Sequence, residues 1–393
     1  MARAKTIQSQ VKSDSKATIQ VELTGRLLYR HLKDLGFGRI GMEPLIMEEA
    51  DKLKQVLNKR IGTVTSMKLQ LNVSILNAMW HILTGETVAY DDPRCKEIIE
   101  KFYIMMARSN ALSPLFIWPW LKYIVPNQSG YTNTKEANER VSELIEESYN
   151  KHLKSFDPNN LRDFTDIYIN EMKKYENDAN SSFNKENGIH NYITGMINLF
   201  VAGSETTSNT INYTLWYFCN YPEVQKKVQQ EIDSVIGRNR APSMDDKPNL
   251  PYLEAVVHET QRIVGLAFQG IPRVARRNLK LGGYDIPKGT RLITALYEIM
   301  HDQNYWGDPE VYRPERFLKD GKFQSDDRFV AFGIGKRNCM GKTLAQMELL
   351  LFLGVFVQNY SFSFPDDYDP KTFQDEVGFI LTCPDYPIII NSR

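Results

Sequence analysis

From Leu27 onward, apolar residues recur mainly at helical spacing. The stretch MEPLIMEEADKLKQVLNK sets Leu45, Glu49, Leu53 and Val56 along one helical stripe, and LQLNVSILNAMWHIL is apolar on most faces, as a buried helix is. KEIIEKFYIMMA and ANERVSELIEESYNKHL continue the pattern, while SPLFIWPWLKYIVP between them is broken by prolines and rich in aromatics. The polar runs NDANSSFNKENG and IGRNRAPSMDDKPNLP read as solvated loops. Strand signals begin only after Gly265. LKLGGYDIPKGTRLITAL reads as short strands around a Gly-Gly and a Pro-Lys-Gly-Thr turn, and GFILTCPDYPIII reads as a hairpin. No repeat and no clear linker divides the chain. The pattern predicts one large domain, mainly α with a minor β part.

Charge changes this picture little. Lys+Arg and Asp+Glu both total 48 in the 393 residues, so no net field draws the chain to nucleic acid, and no nucleic-acid-binding signature is present. The opening MARAKTIQSQVKSDSKATIQ is polar, with Arg3, Lys5, Lys12 and Lys16 against Asp14, and residues 1–23 read as a disordered tail without a signal peptide or membrane span. The cysteines (Cys95, Cys219, Cys339 and Cys383) form no Cys-x-x-Cys pair, and the histidines form no His-x-x-x-His pair. A disulfide framework or a zinc or iron–sulfur cluster is therefore disfavoured, and a reducing compartment fits. A metal held here needs one protein residue and a cofactor that supplies the remaining ligands.

One stretch suits that role: FVAFGIGKRNCMGKTLAQMELL. Cys339 lies among Gly333, Gly335 and Gly341 and the cations Lys336, Arg337 and Lys342. A helix marked by Leu344, Met347, Leu351 and Val355 follows. A thiol must ionise to ligate a metal, and both a helix N-terminus and nearby cations lower its pKa. The plainer reading of a lone cysteine here is a buried structural residue at a helix start. FGIGKRNCMG, however, resembles the Phe-x-x-Gly-x-Arg-x-Cys-x-Gly loop of the cytochrome P450 family at every defining position. The resemblance implies haem b, with Cys339 as the thiolate ligand of its iron. It implies Arg337 as a propionate partner, Phe332 beside the sulfur, and Gly341 and Ala202 among the cofactor-contacting positions.

Three further stretches extend the resemblance. In MINLFVAGSETTSNTINYTLWYF the polar run 204–210 covers every helix face, so it is no ordinary solvent stripe, and its hydroxyls can back-bond and open the helix. AGSETT resembles the family's oxygen-binding motif, which implies that Glu205 and Thr206 deliver protons during oxygen activation while Ala202 leaves room for oxygen and substrate. HETQR places Glu259 and Arg262 three apart on a helix, ordinarily a surface pair of small value. With Arg316 of YRPERF it resembles the family's structural ion network. FQGIPRVARRNLKLGGYDIPKGT puts Arg273 where a propionate-binding cation is usual. Leu266, Phe268 and Ile271, with Phe379 and Ile380 near the C-terminus, would face substrate; a plain core role fits each nearly as well.

The family resemblance, closest in type to animal microsomal members, implies the P450 fold. The expected activity is insertion of one oxygen atom from O2 into a lipophilic small molecule, by hydroxylation or epoxidation. Electrons would come from NADPH through a reductase docked at Lys336 and Lys342, on the cytoplasmic face of the endoplasmic reticulum membrane. Trp118, Trp120 and Tyr123 suit either a bilayer interface or an internal aromatic cluster. One departure is expected. VELTGRLLYRHLKDLGFG resembles the end of a propionate-contacting helix, yet Val21 and Gly25 stand where tryptophan and arginine are usual, with Arg26 the nearest cation. Residues 24–393 thus read as the family domain without its N-terminal anchor, first β region and early helices. The alternative to an active enzyme is a haem-binding remnant that keeps Cys339 but sustains no turnover.

Overall fold

The computed structural model describes residues 42–90, 92–107, 114–178 and 181–393. The readings made for residues 1–23, Val21, Gly25 and Arg26 lie outside the described residues. The helices in chain order are α1 (Glu43–Asn58), α2 (Lys68–Thr84), α3 (Pro93–Ala107), α4 (Pro114–Ile117), α5 (Leu121–Ile124), α6 (Tyr131–Lys154) and α7 (Phe164–Lys174). They continue with α8 (Lys185–Asn220), α9 (Pro222–Val235), α10 (Pro251–Val264), α11 (Leu296–Met300), α12 (Gln303–Trp306) and α13 (Lys342–Asn359). The strands are β1 (Val64–Thr65), β2 (Arg273–Val274), β3 (Leu279–Leu281), β4 (Tyr284–Ile286), β5 (Arg291–Leu292) and β6 (Leu318–Lys319). β7 (Lys322–Phe323), β8 (Tyr360–Ser363), β9 (Glu376–Val377), β10 (Leu381–Thr382) and β11 (Ile388–Ser392) complete the set. The chain is mainly α with small separate sheets.

The long helix α8 organises the core, with α2, α6, α10 and α13 packed along it. Gly203 allows the closest approach to α2: a Cβ there would stand 2.9 Å from the Met79 methyl. One turn earlier Trp80 stacks on Phe200, ring centroids 4.8 Å apart. The polar run does not open this helix, contrary to the expectation from its hydroxyls. Ser204, Thr206, Ser208 and Thr210 donate to the carbonyls four residues back without displacing the backbone ladder, and the helix runs unbroken for 36 residues.

Other boundaries shift for local reasons. The buried face of α1 is Ile46, Glu49, Ala50, Leu53 and Leu57, so Leu45 and Val56 sit at its edge. The loop before α8 ends early because Asn184 accepts from the Asn187 N–H at 3.0 Å as an N-cap, while Phe183 is buried. The Gly-Gly turn is found between β3 and β4, with φ of 56° and 86° at Gly282 and Gly283. The C-terminal stretch is not one hairpin. β9 pairs with β10, whereas β11 is the middle strand of an antiparallel sheet between β1 and β8. Ile388 and Ile390 face inward, so the final strand closes the core against a segment more than 300 residues earlier.

Candidate active site

The cysteine loop is closed by two backbone bonds, Gly333 N–H to the Val330 carbonyl at 2.7 Å and Cys339 N–H to the Phe332 carbonyl at 2.8 Å. Gly333 and Gly335 take the left-handed conformation, φ 71° and 72°, that the tight return requires. Gly341 is the N-cap of α13, and a Cβ on it would lie 3.9 Å from the Cys339 sulfur. The N–H groups of Gly341 and Lys342 bond the sulfur and, with the Lys342 charge, favour the thiolate. Partial desolvation opposes them and pushes the thiol up, so the expected lowering is offset. The loop's own side chains do not cover Cys339, which is exposed rather than buried as a structural cysteine would be. Phe332 is half-buried, with the Lys342 ammonium 5.7 Å from its ring centroid.

Two arginines predicted from separate stretches meet at this loop. Arg273, on β2, donates to the Arg337 backbone carbonyl at 3.4 Å. The contact sets the Arg273 guanidinium against the backbone of the loop that carries Arg337 and Cys339.

On α8 most of the middle is buried, but one stripe is open. Thr194, Asn198 and Ala202 are exposed and Thr206 is half-buried, each four residues from the next. Glu205 is not on that stripe. It is buried, accepts from the Asn209 side chain at 3.4 Å, and is pushed up to about 7 by burial, against the opposing pull of Lys68 and Asn209. The sequence reading missed Thr194 and Asn198; extending the Thr206–Ala202 register backward by helical steps of four finds them.

The five apolar positions divide. Leu381 N–H donates to the Leu266 carbonyl at 2.9 Å, which ties the β9–β10 hairpin, carrying Phe379 and Ile380 at its turn, to the segment after α10. Leu266, Phe268 and Phe379 are half-buried, and Ile380 is buried. Ile271 is 63% exposed and stands apart from this wall, because its chain has already turned outward toward β2.

The ion network is a core feature, not a surface pair. Glu259 and Arg262 are fully buried, and the carboxylate accepts from Arg262 at 2.8 and 3.0 Å, from Arg316 at 2.9 Å and from the Arg313 N–H at 2.9 Å. Arg262 also donates to the Met300 and Pro309 carbonyls, and Arg316 to those of Asp308 and Val311. Arg316 also pairs with the Asp308 carboxylate at 3.0 Å, so each buried guanidinium has a carboxylate, as burial demands. The network pins α10 to the chain that leads into the cysteine loop.

His152, Asp163 and Asp166 cluster as metal ligands could. They do not form a metal site here. His152 Nδ1 faces the Ser148 carbonyl at 2.8 Å, and Nε2 faces the Thr84 carbonyl at 3.0 Å and Asp163 at 2.9 Å. Both nitrogens meet acceptors, so both carry protons and neither offers a lone pair.

The residues fit haem. They supply a soft sulfur at a helix start with a glycine beside it, an arginine in the loop and another against its backbone, and a stripe of small side chains on a buried helix. A family model described as Cytochrome P450 matches residues 26–390. The chain is 36% identical over 355 residues to cytochrome P450 2J1 of Oryctolagus cuniculus, covering 89% of this chain and 69% of the relative. It is 34% identical over 342 residues to cytochrome P450 2J2 of Homo sapiens, covering 86% and 66% respectively. With cytochrome P450 2L1 of Panulirus argus it shares 32% over 376 residues, covering 94% and 76%. The chain thus spans about two thirds of the length of the first two relatives. By the family model and by these identities, the chain belongs to the cytochrome P450 family.

Proposed function

We propose that the protein is a haem-thiolate monooxygenase that inserts one oxygen atom of O2 into a lipophilic small molecule, with electrons from NADPH through a reductase. The observation that carries the reading is the exposed Cys339 sulfur at the start of α13, in a glycine loop that brings Arg273 and Arg337 together. Bound haem supplies the oxygen-activating chemistry, and the rest follows from side chains of this chain. Cys339 holds the metal through sulfur, Gly341 keeps that side open, and Arg273 and Arg337 hold the propionates. Ala202 and Thr206 give an open stripe for oxygen and substrate. Leu266, Phe268 and Phe379 exclude water from one side and favour an apolar substrate.

Glu205 is the proton reservoir of this scheme. With its carboxyl pushed up to about 7, it both holds and releases a proton near neutrality, as an acid–base group should. Thr206, the next residue, orients the proton path with a hydroxyl that now donates to the Ala202 carbonyl at 2.7 Å. Lys336 and Lys342 are exposed beside the loop and form the steering patch for a reductase. Among the described residues no helix is long and apolar enough to cross a membrane. The exposed Trp118, Trp120, Tyr123 and Ile124 of the α4–α5 segment suit contact with the endoplasmic reticulum membrane. The test is NADPH consumption and oxygenated product from purified protein, reductase and a panel of lipophilic probes. Product formed in proportion to NADPH supports the enzyme. Haem binding and carbon monoxide binding without any product would identify the remnant instead.

A further inference from the structure

The segment that carries the β9–β10 hairpin is tied to α8 along its length. Tyr213 donates its hydroxyl to Asp375 at 2.7 Å, Tyr386 donates to the Asn212 carbonyl at 2.7 Å, and the Cys383 N–H donates to Asn209 Oδ1 at 2.8 Å. The Asn209 tie differs from the other two in what lies behind it. A backbone N–H can only donate, so Oδ1 faces Cys383 and the amide nitrogen faces the other way. There Nδ2 meets the Glu205 carbonyl at 2.7 Å and the Glu205 carboxylate, through Oε2, at 3.4 Å. Cys383 is fully buried and Asn209 and Glu205 are each 3% exposed, so this chain of bonds runs beneath the surface.

Charged and titratable groups on the surrounding elements have partners of their own. Lys68 at the start of α2 acts on Glu205 through its charge, and Glu205 acts likewise on Tyr103 of α3. Both are engaged with Glu376 of β9, Tyr103 donating to it at 3.0 Å and Lys68 lying 3.7 Å away. Asp385 accepts from Ser66, Glu259 of α10 pairs with Arg262, and His152 of α6 pairs with Asp163. On α13, burial pushes Glu348 up to about 8, which leaves it mostly uncharged near neutrality. Asn209 touches the Glu205 carboxyl directly.

We propose that Asn209 is a positioning residue that joins Glu205 to the β9–β10 hairpin, so that the apolar wall at Phe379 and Ile380 and the carboxyl beside Thr206 are held in one fixed relation. The assignment rests on Glu205 as the proton reservoir of the proposed function. A planar amide occupied at both ends cannot turn without breaking a bond at each. The side chain that holds the end of β10 therefore also sets the place of Glu205. An N–H aimed at a carboxylate favours its charged form, so Asn209 works against the burial that would otherwise keep this acid protonated. A serine hydroxyl here would bond the carbonyl four residues back, as Ser204 and Ser208 do, and leave both ends free.

Two readouts on the purified full chain test the tie. The first is the infrared carboxyl band of Glu205, titrated with pH and assigned by its loss in Glu205→Gln. Asn209→Leu is close in shape but donates no hydrogen bond. It should raise the midpoint from about 7 by about one pH unit, an about tenfold weaker ionisation. The second is hydrogen exchange at the Cys383 amide, corrected for intrinsic rates, which Asn209→Leu should speed about tenfold. Asn209→Ser should move both readouts in the same directions, so the test stands even where Asn209→Leu does not fold. An unchanged midpoint in the folded variant, or a Cys383 amide that exchanges as in the native chain, would overturn the tie. A midpoint that moves while product per NADPH stays unchanged supports the tie and overturns only the proton-reservoir reading of Glu205.

Discussion

At the scale of single residues, Glu205 and Thr206 stand side by side in sequence but in different surroundings. Burial raises the Glu205 carboxyl to about 7, whereas Thr206 lies on the open stripe. Glu205→Gln should therefore remove a titration near neutrality from the pH profile of product formation. Thr206→Ala should leave haem binding intact and send reducing equivalents to peroxide or water. General acid–base steps contribute roughly 10²–10⁴-fold, so product per NADPH should fall clearly in both variants. Unchanged coupling in both would remove them from proton delivery. Sequence motif alone pointed to this pair and to Cys339, since backbone spacing is local information. It could not show that Glu205 is buried and Thr206 open, because that depends on which helices the fold packs against α8.

At the scale of elements, charged groups fix how helices meet. Glu259 accepts from two buried arginines and a backbone N–H, so Glu259→Ala leaves cations without a partner in the core. A loss of about 3–5 kcal/mol in folding stability is expected by denaturant titration, with aggregation or haem loss following. A loss below about 1 kcal/mol would return the pair to the class of surface salt bridges. His152 of α6 is raised to about 9, chiefly through the Asp163 bond and despite desolvation, and it joins the end of α2 to the start of α7. Its folded pKa lies above its unfolded value of 6.5, so its stabilisation is complete below that value and is lost as pH rises through about 9. Urea midpoints should fall across that interval in the native chain and much less in His152→Gln. Equal slopes would contradict the cationic assignment. The helices were legible from periodicity, and the Gly-Gly turn from its own residues. The partner of the last strand was not, because β11 pairs with β1 and β8, segments that local pattern cannot choose between.

At the scale of the whole molecule, the aromatic segment between α3 and α6 was equally open to an internal or an interfacial reading. The fold decides for exposure: Trp118 and Trp120 are 51% and 53% exposed and Tyr123 is 71% exposed. Folded protein should bind anionic liposomes in flotation assays, and Trp118→Ser with Trp120→Ser should weaken that binding severalfold. Native chain that stays entirely in the aqueous fraction would argue against a bilayer contact there. The domain's helical character was readable because amphipathic and buried stripes repeat along the whole chain. The apolar wall was readable only in part. Ile271 and Phe268 lie three apart in sequence, yet the turn toward β2 sends one outward and leaves the other half-buried.

The central claim is that Cys339 holds haem iron through its thiolate, and the carbon monoxide difference spectrum of the reduced protein tests it most directly. The native chain, and variants replacing Cys95, Cys219 or Cys383 with serine, should show the red-shifted band of thiolate-ligated haem. Cys339→Ser should lack it. A native chain reconstituted with haem that shows no such band, or a Cys339→Ser variant that retains it, would contradict the account.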